Sequence, residues 1–331
     1  MTARLRAGLV GLGSMGRNHA RILASLEGVE FVGAADPRPD ASFLGASSAP
    51  IVPDLDALLA LGIDYCVVAA PTALHESLGV QLAENGVHAL IEKPLAPDAP
   101  AAERLVKIFE DRGLIGGVGH IERFNPALQS ARERLEAGDL GDVFQVITRR
   151  QGPFPGRIGD VGVVMDLATH DIDLTAWVTQ QPYANVAAHT AHRSGRQFED
   201  LVAVVGRLRN GTVTNHLVNW LSPMKERVTV VTGERGCLVA DTLTADLTFH
   251  ANSSVETEWE ALHNFRGVTQ GDVIRYAIAK PEPLRTEHEG FRDAVAGVGG
   301  AIVSFEEGVS TVRTAEALLR SAQTGRFVLV G

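Results

Sequence analysis

The sequence predicts an α/β domain with a doubly wound parallel sheet, followed by an α+β domain built on a large, mostly antiparallel open sheet. From residue 5 to about residue 120, short apolar runs alternate with amphipathic stretches, which is typical of parallel strands connected by helices. Beyond residue 126, long strand-like runs follow one another without intervening helices, as in antiparallel sheets. A chain of 331 residues has room for two such domains, which we place at residues 1–121 and 122–331.

The first domain is predicted to contain five strands and three helices. The strands span residues 5–11, 29–35, 63–70, 88–92 and 114–119. The helices lie near residues 15–26, 74–84 and 99–111, where the stretches between strands are amphipathic. This alternation is expected to cover both faces of the sheet with helices.

The second domain has a different pattern of predicted helices and strands. One helix is predicted near residues 127–137, a strand begins at Val143, a loop rich in Gly and Pro follows, and another helix begins at about Val164. The strand-like runs then cover residues 186–191, 201–207, 212–220, 227–231 and 238–243. No internal repeat and no low-complexity linker interrupts this order.

Composition excludes several classes of protein. With 45% hydrophobic residues, the chain can bury a large core and is neither disordered nor fibrous. The net charge of −10 argues against nucleic acid or an anionic membrane as a partner, because both would repel most of the surface. Cys66 and Cys237 have neither disulfide-framework nor zinc-site spacing. Together with an N-terminus that lacks a long apolar stretch, this favours a cytoplasmic protein.

A glycine-rich loop follows the first predicted strand and opens the first helix. It consists of Gly11, Leu12, Gly13, Ser14, Met15 and Gly16, a GxGxxG pattern. Glycines at these positions permit a tight turn and close approach of the backbone to a pyrophosphate, whose charge lies at the positive helix N-terminus. In this strand–loop–helix context the motif predicts a Rossmann-type dinucleotide site.

Asp36 strengthens that prediction. It ends the second strand twenty residues after Gly16, where a carboxylate can accept both ribose hydroxyls of the adenosine. Because Asp36 would repel a 2′-phosphate, NAD is favoured over NADP as the cofactor. Arg38 tempers this preference, since its side chain could turn toward such a phosphate.

Lys93 lies between Glu92 and Pro94, at the end of an apolar strand. The chain has only four lysines, so a lysine at this point draws attention. A partly buried lysine can give up its proton near neutral pH, which arginine cannot do. Oxidation of a secondary alcohol requires a base for the hydroxyl proton while hydride leaves carbon, and Lys93 could serve as that base. A surface lysine paired with Glu92 is the alternative.

Asp166 and His170 are four residues apart on a predicted helix and would therefore share one face. Such a face, which Asp173 roughly continues, could grip a hydroxyl-bearing ring. From the spacing alone, a surface ion pair on an amphipathic helix is the favoured explanation. Two ligands with no obvious third argue against a metal site.

Taken together, these motifs resemble the Gfo/Idh/MocA oxidoreductase family over nearly the whole chain. The resemblance rests on GLGSMG, on the run APT with the nearby His75, on EKP, and on DLATH at residues 166–170. It implies an NAD(P)-dependent dehydrogenase of sugars, cyclitols or nucleotide sugars. Catalysis is then assigned to Lys93, with Asp166 orienting the substrate hydroxyl and His170 exchanging a proton beside Lys93.

The resemblance also assigns the remaining cofactor contacts. These are the residues of the glycine loop with Asp36 and Arg38, followed by Ala70, Pro71, Thr72, His75, Glu92 and Lys93. The family normally uses no metal, and its Lys-Pro bond is often cis. Many relatives have glycine where Ala168 stands, a departure expected to have a minor effect on substrate fit.

Three further segments resemble UDP-N-acetylglucosamine 3-dehydrogenases of this family: GHIERFNP (119–126), RRQGPFPGR (149–157) and NWLSP (219–223). The resemblance favours a nucleotide sugar, UDP-N-acetylglucosamine oxidised at C3. Arg123, Arg150 and Arg157 could bind its diphosphate, or could instead pair with nearby acids. Asn125 is a further substrate-binding candidate, although it could equally be a structural cap.

Two alternatives remain at this point. The same chemistry could act on a free ring polyol such as inositol or an aldose, in which case the arginines would be dispensable. A non-catalytic, sugar-sensing regulator that binds NAD is the alternative of another class, although such a protein has no need of Lys93, Asp166 and His170. An open sheet would leave a broad apolar face, so a homodimer or homotetramer is expected.

Overall fold

A computed structural model describes residues 4–38, 49–156, 161–253 and 269–331. The described residues fall into two compact units. The first comprises Met1–Ile121 with Glu282–Glu316, and the second comprises Glu122–Pro281 with Ala317–Gly331. The sequence pattern predicts one domain for all residues after 121, whereas the C-terminal segment Glu282–Glu316 groups with the first unit. The physical reason is that Phe291 lies in the first unit's apolar core, edge-on to Tyr65 with ring centroids 5.5 Å apart.

The first unit is built on a six-stranded parallel sheet. Its strands are β1 (Leu5–Val10), β2 (Val29–Ala35), β3 (Ile51–Val52), β4 (Tyr65–Val68), β5 (His88–Glu92) and β6 (Gly116–Gly119). The strand order is β3-β2-β1-β4-β5-β6, and every neighbouring pair is parallel. This order reverses direction between β1 and β4, as in doubly wound folds, so the predicted fold class of this domain is confirmed.

The helices of the two units are α1 (Ser14–Leu23), α2 (Leu55–Leu59), α3 (His75–Glu84), α4 (Ala99–Asp111), α5 (Pro126–Glu136), α6 (Thr169–Thr179), α7 (Pro283–Val295) and α8 (Phe305–Thr324). Side-chain caps fix several of their starts. Asp98 accepts a hydrogen bond from Ala101 N at 2.8 Å, and a proline follows in the first turn of α4. None of the helices among the described residues is long and apolar enough to cross a membrane.

The second unit contains a nine-stranded sheet. Its strands are β7 (Val143–Pro153), β8 (Tyr183–Ala191), β9 (Leu201–Leu208), β10 (Val213–Asn219), β11 (Leu221–Gly233), β12 (Gly236–Asp241), β13 (Asp246–Ser253), β14 (Thr269–Arg275) and β15 (Val328–Leu329). The order is β14-β13-β12-β11-β7-β10-β9-β8-β15. Only β7 and β10 pair in parallel among these strands, so the predicted mostly antiparallel sheet is confirmed.

One face of this sheet is covered by helices. Alternate residues such as Val146 and Val231 point into a core with Leu128 of α5 and Leu174 of α6. The residues between them point away from that core, and Val205 remains 54% exposed. The sheet therefore has a covered face, which carries polar groups described below, and an open face.

Candidate active site

The glycine loop joins β1 to α1 in the first unit. Gly11 has a positive φ of 92°, and a Cβ atom there would lie 2.6 Å from the carbonyl oxygen of Ala69. A Cβ on Gly16 would lie 1.9 Å from the carbonyl oxygen of Gly11, so this glycine permits the helix to approach the strand. A Cβ on Gly13 would meet nothing within 4 Å. Gly13 therefore leaves open the side of the loop that a pyrophosphate would approach.

Asp36 lies beside this loop, at the end of β2. Its Oδ2 accepts a hydrogen bond from Leu12 N at 2.7 Å, and its Oδ1 accepts one from Arg38 N at 2.8 Å. Each carboxylate oxygen keeps a second lone pair, so the half-buried side chain can still accept ribose hydroxyls. The loop, the exposed start of α1 at Ser14 and Asp36 together fit the adenosine and pyrophosphate of NAD.

His75 lies behind the loops that follow β4 and β5. Its Nδ1 is 2.9 Å from the carbonyl oxygen of Pro94, and its Nε2 is 3.0 Å from that of Ala70. Burial lowers the pKa of His75, although both carbonyl contacts act to raise it. Because its ring nitrogens face backbone oxygens, His75 fixes Ala70 and Pro94 instead of presenting its own ring to a ligand. Pro71 and Thr72 begin the short 3-10 turn that leads into α3.

Glu92 and Lys93 form the turn at the end of β5. Glu92 is only 8% exposed; its Oε2 accepts a hydrogen bond from Lys93 N, and its Oε1 lies 3.0 Å from His19 Nε2. Burial alone would raise the pKa of Glu92, but the contacts with His19 and Lys93 lower it below its usual value. Glu92 is thus a buried carboxylate that holds the lysine turn. The Lys93–Pro94 peptide bond is cis, and the Lys93 side chain is half-buried.

The side chains that surround Glu92 are not predicted by the sequence pattern. His19 of α1 is fully buried, and its Nδ1 lies 2.8 Å from Nε2 of His288 in α7. Glu287, the neighbour of His288, is also buried; burial and the charge of Glu92 raise its pKa well above the usual range. No motif marks these positions. The only available signal was the presence of titratable residues at buried positions of amphipathic helices.

Asp166 and His170 belong to the second unit. Asp166 is 5% exposed and lies in a π-helical turn, Val164–Ala168, whereas His170 lies in α6. The π-helical turn continues into α6 without a break, so the two residues lie four apart on one helical stretch, and their shared face stays a prediction. Glu199 Oε1 accepts a hydrogen bond from Val164 N at 3.0 Å and so anchors the start of the turn. π-helical turns inside helices are frequently found at functional sites.

Arg123 is engaged in a buried ion pair. It donates to both carboxylate oxygens of Asp173, at 2.8 and 2.6 Å. Asn125 accepts from Ala127 N at 3.1 Å and donates to Thr242 O at 3.0 Å, which makes it the cap of α5. These contacts give Arg123 and Asn125 structural roles, and their substrate roles stay predictions. Arg157 lies outside the described residues.

Arg150 also forms ion pairs within the second unit. Its Nε donates to Asp171 at 2.8 Å and its Nη1 to Glu122 at 2.7 Å, and the residue is 2% exposed. Burial would raise the pKa of Glu122, but the charge of Arg150 lowers it below its usual value. A guanidinium enclosed by two carboxylates is not available to a diphosphate. These ion pairs argue against the predicted role of Arg150 in diphosphate binding, which stays a prediction.

Arg227 is a second arginine next to Arg150 in the sheet. It lies opposite Arg150 in the pairing of β11 with β7, on the covered face, and is half-buried. Among the described residues, its guanidinium makes no ion pair or hydrogen bond. Burial and the charge of Arg150 lower the pKa of Arg227, whereas the nearby carboxylates, Asp166 among them, raise it. An unsatisfied cation thus lies near Asp166. Within the described ranges, no group of three His, Cys, Asp or Glu side chains could hold a metal.

The parallel sheet, its glycine loop and the acidic residue ending β2 define a dinucleotide-binding protein with a second α+β unit. Residues 5–120 match the model of an oxidoreductase family with an NAD-binding Rossmann fold, and residues 128–239 match the GFO/IDH/MocA C-terminal domain. The chain belongs to the GFO/IDH/MocA oxidoreductase family.

Several relatives are named dehydrogenases. UDP-N-acetylglucosamine 3-dehydrogenase of Acidithiobacillus ferrooxidans is 33% identical over 64% of this chain, an alignment that spans 66% of that enzyme. Myo-inositol dehydrogenase Hyg17 of Streptomyces leeuwenhoekii is 32% identical over 70% of this chain and 74% of that protein. The solved structure of the Acidithiobacillus ferrooxidans enzyme superposes with a TM-score of 0.84 at 26% identity, covering 98% of this chain and 99% of that one.

Proposed function

We propose that this protein is an NAD-dependent dehydrogenase that oxidises a secondary hydroxyl of a sugar, with Lys93 as acid/base. The observation that carries the proposal is the buried turn at Glu92 and Lys93, in the same unit as the glycine loop and Asp36. In doubly wound folds, ligands bind at the carboxyl ends of the strands, and β1, β2 and β5 end at these residues.

The proposed chemistry divides between cofactor and protein. When bound, NAD supplies the acceptor for the hydride that leaves the substrate carbon. Lys93 takes the hydroxyl proton as the carbon–oxygen double bond forms, and returns it in the reverse direction. By family resemblance, Asp166 orients that hydroxyl and His170 exchanges a proton with it. Burial of Asp166 supports this role, because a buried carboxylate holds a fixed orientation.

We further propose a nucleotide sugar, UDP-N-acetylglucosamine oxidised at C3, as the substrate. Arg227 supports this choice, because a half-buried guanidinium without an ion-pair partner among the described residues suits a phosphate group. Inositol or an aldose carries no anionic group for Arg227 to bind. The polyol reading nevertheless remains the second candidate, since a myo-inositol dehydrogenase is among the similar proteins.

The non-catalytic regulator is the less favoured proposal. A sensor needs a cofactor loop and a sugar pocket, but it gains nothing from a buried Glu92 that holds the backbone of Lys93. Buried titratable groups cost stability and tend to mark catalytic sites. Turnover decides between the two classes.

The open face of the second unit's sheet supports a homo-oligomer. Exposed Val205 and Leu217 lie on neighbouring strands, beside Ile147 and Ala187, around a depression of about 480 Å³. An exposed apolar face of this kind is usually covered by another protein surface, and a second copy of this chain is the proposed occupant. Light scattering of the protein and of its Val205→Lys variant would test this, with a change to a smaller species expected for the variant.

The test of function compares two substrates. Pure protein and NAD are mixed separately with UDP-N-acetylglucosamine and with myo-inositol, and reduced cofactor is followed by absorbance, with Lys93→Ala as the catalytic control. We expect turnover of the nucleotide sugar alone, lost in Lys93→Ala. Arg227→Met should raise the KM for the nucleotide sugar about tenfold or more, whereas Arg149→Met, an exposed neighbour, should not.

Either other outcome is informative. Turnover of inositol alone would move the protein to the polyol branch and leave Arg227 without a ligand role. Bound NAD without turnover of either compound, in protein whose Lys93→Ala variant behaves identically, would favour the sensor.

A further inference from the structure

A buried chain of polar side chains runs behind Lys93 in the first unit. Nε2 of His288 in α7 lies 2.8 Å from Nδ1 of His19 in α1, and Nε2 of His19 lies 3.0 Å from Oε1 of Glu92. The other carboxylate oxygen of Glu92 accepts the hydrogen of Lys93 N. His19 and His288 have no exposed surface. Three elements that are distant in sequence thus converge on one carboxylate.

The direction of one hydrogen bond in this chain is fixed. An ionised carboxylate only accepts, so Nε2 of His19 carries the hydrogen that it shares with Glu92 in either protonation state of His19. Burial lowers the pKa of His288 well below its usual value, and the charges of His19 and Arg285 act in the same direction. A neutral His288 suits either state of His19, because its Nε2 donates a hydrogen bond in one tautomer and accepts one in the other.

This arrangement is not what stability alone would select. Buried titratable groups lose hydration, and apolar side chains of similar volume are often equally or more stable in such positions. Glu287, packed into the same region, adds a second buried carboxyl whose oxygens have no hydrogen-bond partner among the described residues. The unfavourable burial of these titratable groups thus occurs next to the turn that carries the proposed acid/base.

We infer that His19 and His288 are positioning residues for the proposed reaction. They hold the Glu92 carboxylate in one orientation and charge state, and Glu92 in turn holds the backbone of Lys93. His19 lies in α1, which begins at the glycine loop. The same series of hydrogen-bonded side chains therefore sets the position of Lys93 relative to the helix that receives the cofactor. This inference rests on the proposed role of Lys93, but not on the identity of the substrate.

The test uses variants of His288, which touches neither the glycine loop nor Lys93 in any described contact. His288→Met removes the polar group at similar size, and His288→Gln retains a polar nitrogen near the position of Nε2. His216 provides the matched control, since it is a buried histidine of the second unit, bonded to Thr148 and Tyr183. His216→Met should lower the melting temperature without changing the labelling of Lys93 described below.

Two readouts separate the inference from the proposed function. The first is kcat against pH with NAD and the active substrate. The second is trace acetylation of the NAD-bound protein, quantified by mass spectrometry at Lys93 relative to Lys107, Lys225 and Lys280 across a pH series. Labelling needs no turnover, so it still reports on Lys93 if neither sugar nor polyol proves to be a substrate.

His288→Met is expected to lower kcat about tenfold or more and to change the relative labelling of Lys93 about threefold, with the NAD dissociation constant within about twofold. His288→Gln should recover most of both effects. The inference is overturned if His288→Met only lowers the melting temperature, as His216→Met does, and leaves the Lys93 labelling profile unchanged. If the wild-type protein turns over neither compound, the proposed function is contradicted, whereas the labelling of Lys93 still tests the inference.

Discussion

Oε2 of Glu92 accepts a hydrogen bond from the backbone nitrogen of Lys93 at 3.0 Å. Glu92 is the last residue of β5, so this contact fixes the backbone of the residue that directly follows the strand. The remaining carboxylate oxygen is held by His19, so one buried side chain joins the lysine turn to α1. The proposed acid/base is thereby positioned through its main chain.

Two glycines of the loop should respond differently to alanine. Gly13→Ala is expected to fold normally, because its Cβ meets nothing, but to lose NAD affinity where the pyrophosphate approaches. Gly16→Ala should lose both stability and NAD affinity, since its Cβ would lie 1.9 Å from a carbonyl oxygen. Melting temperature and NAD titration of the two variants check this. Equal loss of stability in both would contradict the geometry.

Asp36 should determine cofactor choice. Asp36→Asn removes the negative charge that repels a 2′-phosphate and weakens the bonds to Leu12 N and Arg38 N. We expect the NAD dissociation constant to rise about tenfold while the affinity for NADP falls less or improves. Calorimetric titration with both cofactors measures the ratio. Asp98→Asn, a cap on α4, serves as control, and a parallel loss of both affinities would contradict the prediction.

Arg150 should behave as a structural residue. Arg150→Met leaves the carboxylates of Asp171 and Glu122 buried without their cation, which costs about 3–5 kcal/mol of unfolding free energy. The neighbouring Arg149→Met breaks only an exposed pair with Glu226 and should cost about 1 kcal/mol or less. Denaturant unfolding compares them. A stable Arg150→Met protein that merely binds UDP more weakly would restore the ligand role.

Glu287 should make stability depend on pH. Burial, together with the charge of Glu92, raises its pKa well above 4.5, so the folded protein holds a proton that the unfolded chain releases. The unfolding free energy contributed by this group therefore falls as pH rises from the unfolded value through the folded one, by up to about 1.4 kcal/mol per pH unit. Glu287→Gln abolishes this loss.

Urea unfolding at acidic, neutral and mildly alkaline pH measures the effect. The gain of Glu287→Gln over the wild type should grow with pH, whereas Glu289→Gln on the same helix provides the comparison. A gain that is constant across the series would show that Glu287 does not titrate as described.

The fold was predictable where pattern and chemistry agreed. β2, β5 and α4 have the bounds that apolar runs and caps indicate, because those elements bury continuous apolar faces. The helices α7 and α8 were not predicted. The buried positions of α7 include Glu287 and His288, which hide its apolar periodicity. β3 has only two residues and no pattern of its own.

The site was predictable in its motifs but not in its pairings. The glycine loop and Asp36 lie together as the spacing indicates, because one strand end and one helix start fix them. The partners of an arginine depend on tertiary contacts. Arg123 and Arg150 form ion pairs with acidic residues of α6, and no spacing in the sequence relates these residues to the two arginines. Arg227 stood in a plain strand pattern and became visible only through its register with Arg150.

The return of Glu282–Glu316 to the first unit bears on how this chain is made. On the ribosome, β1 to β6 leave the exit tunnel long before Phe291 and His288, so the nascent nucleotide-binding sheet lacks part of its core until synthesis is nearly complete. A fragment ending at residue 121 is consequently an incomplete folding unit. We expect that expression of the cofactor domain alone will succeed only when the α7 segment is supplied, in the same polypeptide or as a second chain.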